Sequence, residues 1–203
     1  MQRALSLVLV LCGLFFSTSA FSAEKNPVVV METSMGKIQI ELYPDKAPIT
    51  VKNFLGYVND KFYDDTVFHR VMSTFMIQGG GFTKDISEKA TKGTIKNEAG
   101  NGLSNEIGTI AMARLPEPHT AGAQFFINVA NNTMLNHQNN TVEGYGYCVF
   151  GKVVAGMDVV NKIKDVATGH SNGKAQTPQG LIEMPMDDVP KEPVIIKSVR
   201  VKE

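Results

Sequence analysis

In the stretch FHRVMSTFMIQGGG, Phe68 to Gly81, an arginine and a glutamine sit inside two short apolar runs. A strand of a barrel or sandwich has little use for Arg70 or Gln78 unless the face they occupy meets something polar. Arginine brings a permanent cation with a rigid fork of N–H donors, and glutamine an amide that both donates and accepts. Neither is a nucleophile, so the chemistry they suit is the holding of polar groups. Taken alone, Arg70 reads as a solvated or ion-paired residue, and the apolar neighbours Phe75 and Met76 read as core.

Signals for other chemistries are missing. There is no Gly-X-Ser-X-Gly elbow, and the four histidines lie far apart in unlike contexts. His119 and His137 have no paired His or Cys at ligand spacing, so they read as surface residues and no metal is expected. The glycines at 79–81 are not followed by the Lys-Ser/Thr pair of a phosphate loop, and no cofactor is expected. Cys148 reads as a buried small hydrophobe rather than a reactive thiol.

The elements that must position Arg70 and Gln78 have mostly a period of two. Residues 28–33 and 37–42 form a hairpin with Ile38, Ile40 and Leu42 on one face, and further strands are expected at 67–72, 75–79, 109–113, 124–130, 147–154 and 194–201. Along those strands, parity puts Phe68, Arg70 and Met72 on one side and Met76 and Gln78 on one side of the next. Helical spacing occurs twice. Val51, Phe54, Leu55 and Val58 follow Pro48, and Val160, Ile163 and Val166 lie within 157–166. Many short strands without strand–helix–strand alternation predict an all-β dominated fold, a closed antiparallel sheet capped at its ends. Residues 80–108 and 167–193, rich in Gly, Asn, Thr, Lys and Pro, are read as long loops, with Met184 and Met186 only weak evidence for a sticky client-binding surface.

The chain has 203 residues, 43% of them hydrophobic, which allows one domain with a sizeable core. Lys+Arg and Asp+Glu are equal at 20 each, so charge asks for neither nucleic acid nor an anionic membrane. Arg3, the apolar run Ala4–Phe16 and the small residues at 17–20 predict a secretory signal peptide over residues 1–23, cleaved between Ala20 and Ala23. The run is shorter than the roughly 20 residues of a membrane span. The mature chain, 24–203, then keeps one cysteine and is expected in the periplasm, with no membrane span.

The motifs Phe-His-Arg, Phe-Met-Ile-Gln-Gly-Gly-Gly and Gln-Phe-Phe-Ile, in this order, resemble those of the cyclophilin family of peptidyl-prolyl isomerases, and the resemblance runs from about residue 28 to about 201. It implies a closed eight-stranded antiparallel barrel capped by two α-helices, filled with side chains, with a site in a groove on the outside. It implies catalysis by Arg70, with substrate held by Phe75, Met76, Gln78, Gln124, Phe126 and Leu135. Ala113 would line the groove and Arg114 would offer its backbone, with His69 in a supporting role. Met134, where well-known members carry a tryptophan, and Tyr147, where they carry a histidine, would also contact the substrate. The implied partners are Pro-containing segments of unfolded or folding proteins, met by a monomer. A binding or chaperone module that holds such segments without turnover is the alternative.

Overall fold

The computed structural model describes residues 25–177 and 180–203, so the expected signal peptide lies outside the described residues. The first hairpin forms as its alternation dictates. β1 (Val28–Thr33) and β2 (Gly36–Leu42) pair antiparallel, Val29 opposite Ile40 and Met31 opposite Ile38, with all four side chains buried. The chain then turns into α1 (Pro48–Asn59), which starts on the proline because the ring presets φ and the missing N–H has no intrahelical partner there. Phe54 on its inner face meets Tyr63, Phe125 and Phe150 at centroid distances of 5.1, 5.8 and 5.2 Å, so the helix closes the barrel by adding a ring to its core.

β3 (Thr66–Met72), β4 (Met76–Thr83), β5 (Thr109–Met112), β6 (Phe125–Asn128), β7 (Val149–Ala155) and β10 (Val194–Val201) complete the wall. The strand order β1-β10-β3-β4-β6-β5-β7-β2 closes on itself. Closure removes every sheet edge in the wall, and the interior is packed with apolar and aromatic side chains. α2 (Met157–Lys164) begins after Gly156, whose φ of +90° suits glycine, and buries Val159, Val160 and Ile163.

Two expectations need correction. Residues 167–193 are not a long loop: β8 (Thr168–Thr177) and β9 (Gly180–Pro190) pair as a second, two-stranded sheet. Its base packs on the barrel's outer face, where Val67, Phe82, Ile86 and Val189 form a separate buried cluster joined by Met184 and Met186. Those methionines are therefore partly buried packing residues. Phe68, too, does not share a side with Arg70. The β3–β4 register pairs Phe68 with Gly79 and Arg70 with Gln78, leaving His69 as an extra residue. This β-bulge turns Phe68 into the core while Arg70 stays outside.

Candidate functional site

The bulge at His69 sets the site. Beyond it, the register aligns Arg70, Gln78, Phe126, Ala111 and Val149 in one row across β3, β4, β6, β5 and β7. Met76, Ala111, Phe126 and Val149 form a buried apolar cluster outside the main core, edged by Phe75, Ala113, Leu135 and Tyr147. Above it lies a groove of about 200 Å³ lined by Arg70, Phe75, Met76, Gln78, Ala113, Arg114, Phe126, Leu135 and Tyr147.

Nine of the expected residues thus converge. Gln124 joins through its side chain, accepting a 2.9 Å hydrogen bond from Gln78 Nε2, and it lines an adjoining hollow of about 330 Å³ that shares Gln78, Ala113 and Arg114. Met134 is not brought in: it lies in the 3₁₀ turn Thr133–Leu135, 67% exposed, beside the groove rather than on its wall. A larger hollow of about 530 Å³ at the base of the β8–β9 hairpin shares no lining residue with the groove.

Glycine makes room for the amide pair. A Cβ on Gly81 would fall 2.4 Å from Gln124 Cγ, and one on Gly80, at φ +83°, 2.7 Å from the Phe125 ring. The glycine run in β4 is therefore clearance for Gln124 and for a core aromatic.

Two guanidinium groups border the groove, and their commitments differ. Arg114 donates from Nε to Gly146 O at 3.0 Å and from Nη1 to Leu115 O and Pro116 O at 3.0 and 2.6 Å, and it lies over the Tyr147 ring at 4.5 Å. Tyr147 in turn meets Phe126 edge-on at 5.7 Å, so Arg114 is part of an aromatic wall. Among the described residues Arg70 is held only through Nε, by an ion pair 3.8 Å long to Asp188 on β9. Both of its Nη groups lack a protein acceptor among those residues, whereas Arg114 has only Nη2 left.

The sequence reading missed an asparagine network beneath the groove. Asn132 Nδ2 donates to Phe75 O at 2.8 Å and to Asn128 Oδ1 at 2.7 Å, and Asn128 Nδ2 donates to Asn105 Oδ1 and Thr109 Oγ1. Asn105 Nδ2 reaches Leu135 O and Tyr147 O at 3.2 and 3.3 Å. Backbone carbonyls of three groove residues are thereby fixed by buried amides, each satisfied by another. The available signal was Asn128 itself, a polar residue at the end of an apolar strand.

None of the lining side chains is a thiol, an aliphatic hydroxyl, an amine or a carboxylate. The nearby Cys148 is buried, and burial pushes its thiol up to about 11, so it stays protonated. His69, behind the site, stacks on Phe82 at 4.5 Å, and burial pulls its pKa down to about 4. At neutral pH it is an uncharged support.

The family model for cyclophilin type peptidyl-prolyl cis-trans isomerases matches residues 28–201. The chain belongs to the cyclophilin family. It is a peptidyl-prolyl cis-trans isomerase, 56% identical over 176 residues to the peptidyl-prolyl cis-trans isomerase B of Escherichia coli K12, a match covering 87% of this chain and all of that one. It is 50% identical to a peptidyl-prolyl cis-trans isomerase of Acinetobacter baylyi, covering 97% of this chain and 95% of the relative. The barrel superposes on a cyclophilin crystal structure from Cryptosporidium parvum with a TM-score of 0.67 at 23% identity, covering 88% of this chain and 98% of that one. A second structure of that protein, obtained in the presence of the dipeptide Ala-Pro, gives 0.66 at 24% identity, covering 87% and 99% of the two chains. Cyclophilin architecture thus fits the closed ring of strands.

Proposed function

We propose that this cyclophilin isomerises X-Pro bonds in the groove beside Arg70, with Arg70 as the catalytic residue. The observation that carries the reading is the convergence of one uncommitted guanidinium, an apolar cup and an amide pair in about 200 Å³. Rotation about a peptide bond faces a barrier of ~18–20 kcal/mol, because the nitrogen lone pair is delocalised into the carbonyl. In the twisted state the nitrogen recovers that lone pair and becomes a far better acceptor.

Phe75, Met76, Phe126 and Leu135 form the cup for the proline ring, and Gln78 with Gln124 and the Arg114 backbone hold the peptide on either side. Arg70 donates to the prolyl nitrogen as it pyramidalises, an interaction stronger in the transition state than in the ground state. A hydrogen bond to a charged group is worth ~1.5–3 kcal/mol, roughly ten- to a hundredfold in rate. The remainder comes from binding the bond partly twisted in an apolar cup that favours the less polar twisted amide. Turnover separates this from the holding-module reading: Arg70→Ala is expected to lower kcat/KM on short X-Pro peptides by at least about tenfold with thermal stability nearly unchanged. A variant as fast as wild type would place the chemistry elsewhere.

The same proposal extends to place and partner. The apolar run Ala4–Phe16 and the small residues after it support export to the periplasm. There the enzyme acts as a monomer on Pro-containing segments of folding proteins, where uncatalysed isomerisation takes ~10–100 s. Among the described residues no helix is long and apolar enough to cross a membrane. Mass spectrometry of protein from the periplasmic fraction is expected to give a mature start between Phe21 and Glu24, and an intact Met1–Ala23 segment on cytoplasmic protein would refute export.

A further inference from the structure

We propose that Asp188 is a positioning residue for Arg70, and that the β8–β9 hairpin is part of the catalytic apparatus rather than a decoration of the barrel. This rests on the catalytic role proposed for Arg70.

The hairpin carries a bulge of its own. Gly169 pairs with Val189 and Ser171 with Met186, so Asp187 and Asp188 together stand opposite the single residue His170. A bulge sends consecutive side chains where regular alternation would not. Asp187 Oδ1 meets His170 Nδ1 within the hairpin at 3.0 Å, while Asp188 Oδ2 reaches out to Arg70 Nε on β3 at 3.8 Å. Asp188 is held at φ +60°, a left-handed conformation that is costly for any residue but glycine and is eased for Asp and Asn by their short polar side chains. Backbone in that state persists where surrounding structure imposes it, here the packing of Val189 and Met186 on the barrel.

The side chains of Arg70 and Asp188 are 44% and 37% exposed, so their pairing adds little to stability. Its effect is on geometry. Arginine on a strand has four rotatable bonds, and the carboxylate engages Nε on the edge away from the tip, leaving Nη1 and Nη2 for the groove. Arg114, the other cation of the groove, is tied to backbone carbonyls and forms no ion pair among the described residues. Without Asp188, Arg70 spreads over solvated rotamers, and only a fraction of molecules presents its fork to the prolyl nitrogen. The loss falls on kcat, because the apolar cup and the Gln78–Gln124 pair still hold the peptide.

Four proteins, wild type, Arg70→Ala, Asp188→Asn and Asp188→Gly, together with the double variant Arg70→Ala/Asp188→Asn, are compared for kcat, KM and urea midpoint on an Ala-Pro-containing peptide. Asparagine keeps the tolerance for φ +60° and loses the charge, and glycine relaxes the backbone and loses the charge. Both are expected to lower kcat about three- to tenfold, the share of molecules left with the fork over the groove, with KM within about twofold and an unchanged or, for glycine, raised urea midpoint. In the Arg70→Ala background Asp188→Asn is expected to change nothing further. Full kcat in Asp188→Asn beside a slowed Arg70→Ala would overturn the positioning role alone, as would an equal loss in both backgrounds. Full kcat in Arg70→Ala would overturn the catalytic reading on which it rests.

Discussion

Among the described residues little holds Arg70, whose guanidinium meets one carboxylate at 3.8 Å. A guanidinium with five donors loses its capacity for a ligand as each donor finds a protein acceptor, and Arg114, in the same groove, has Nε and Nη1 already taken by backbone carbonyls. Arg114 lies over the Tyr147 ring and is tied to the Gly146 carbonyl, so it backs the aromatic wall of the cup. Arg70 lies inside β3 and Arg114 two residues beyond β5, and the difference in their partners follows from which carbonyls the 114–120 loop and Gly146 present to Arg114. The amides beneath the groove follow the same logic in reverse. Asn105, Asn128 and Asn132 are valuable because every buried group finds a partner, and a single unpaired amide there would cost ~1–3 kcal/mol.

At the scale of elements, the entry to α1 is held from a distance. Ala47, at the N-cap, has no side-chain acceptor, and the free N–H groups of Ile49 and Thr50 are taken by Glu98 at 3.1 and 2.8 Å, with a further bond from the Thr50 hydroxyl at 2.7 Å. The carboxylate also complements the positive end of the helix dipole. Glu98→Ala is therefore expected to cost ~1–2 kcal/mol, seen as a lower urea midpoint at constant m, while kcat/KM stays within about twofold of wild type. A midpoint equal to wild type would mean that water caps α1 equally well. Such long-range ties limit what a sequence discloses. Strands whose alternation faces a core, such as β1, β2 and β10, were legible in place, and so was α1 from Pro48. The β8–β9 hairpin was not. Thr168–Thr177 buries only Gly173 and Ala175, so no apolar period marks it, and its pairing depends on packing over Val67 and Phe82. The bulges were equally hidden, because an extra residue in a strand leaves the composition unchanged while reversing the side that parity assigns. For the site, the resemblance supplied the residue set, whereas the shared row of Arg70, Gln78 and Phe126 needed the register.

The stability of the whole molecule carries the signature of one buried group. His69 is 2% exposed, its Nδ1 is the buried side-chain polar atom without a partner among the described residues, and burial is the main cause of its pKa of about 4. The unfolded chain exposes an ordinary imidazole at 6.5. Between these values the unfolded state binds the proton and the folded state does not, so stability rises with pH and is lost on acidification from about pH 6.5 down to about pH 4. The loss reaches about 2 kcal/mol by pH 5. Asp64, Glu32 and Asp85 have their carboxyls held below the usual range, by a hydrogen bond from Arg200, Lys37 and Thr83 respectively, so their contributions are lost only at lower pH, starting near their ordinary values of 3.8, 4.5 and 3.8. Urea midpoints of wild type and His69→Gln at pH 7 and pH 5 isolate the effect. The wild type is expected to lose most of that free energy over the interval, whereas His69→Gln, which begins less stable because a packed ring is gone, keeps a nearly flat profile. Parallel losses in the two proteins would assign the acid sensitivity to other groups.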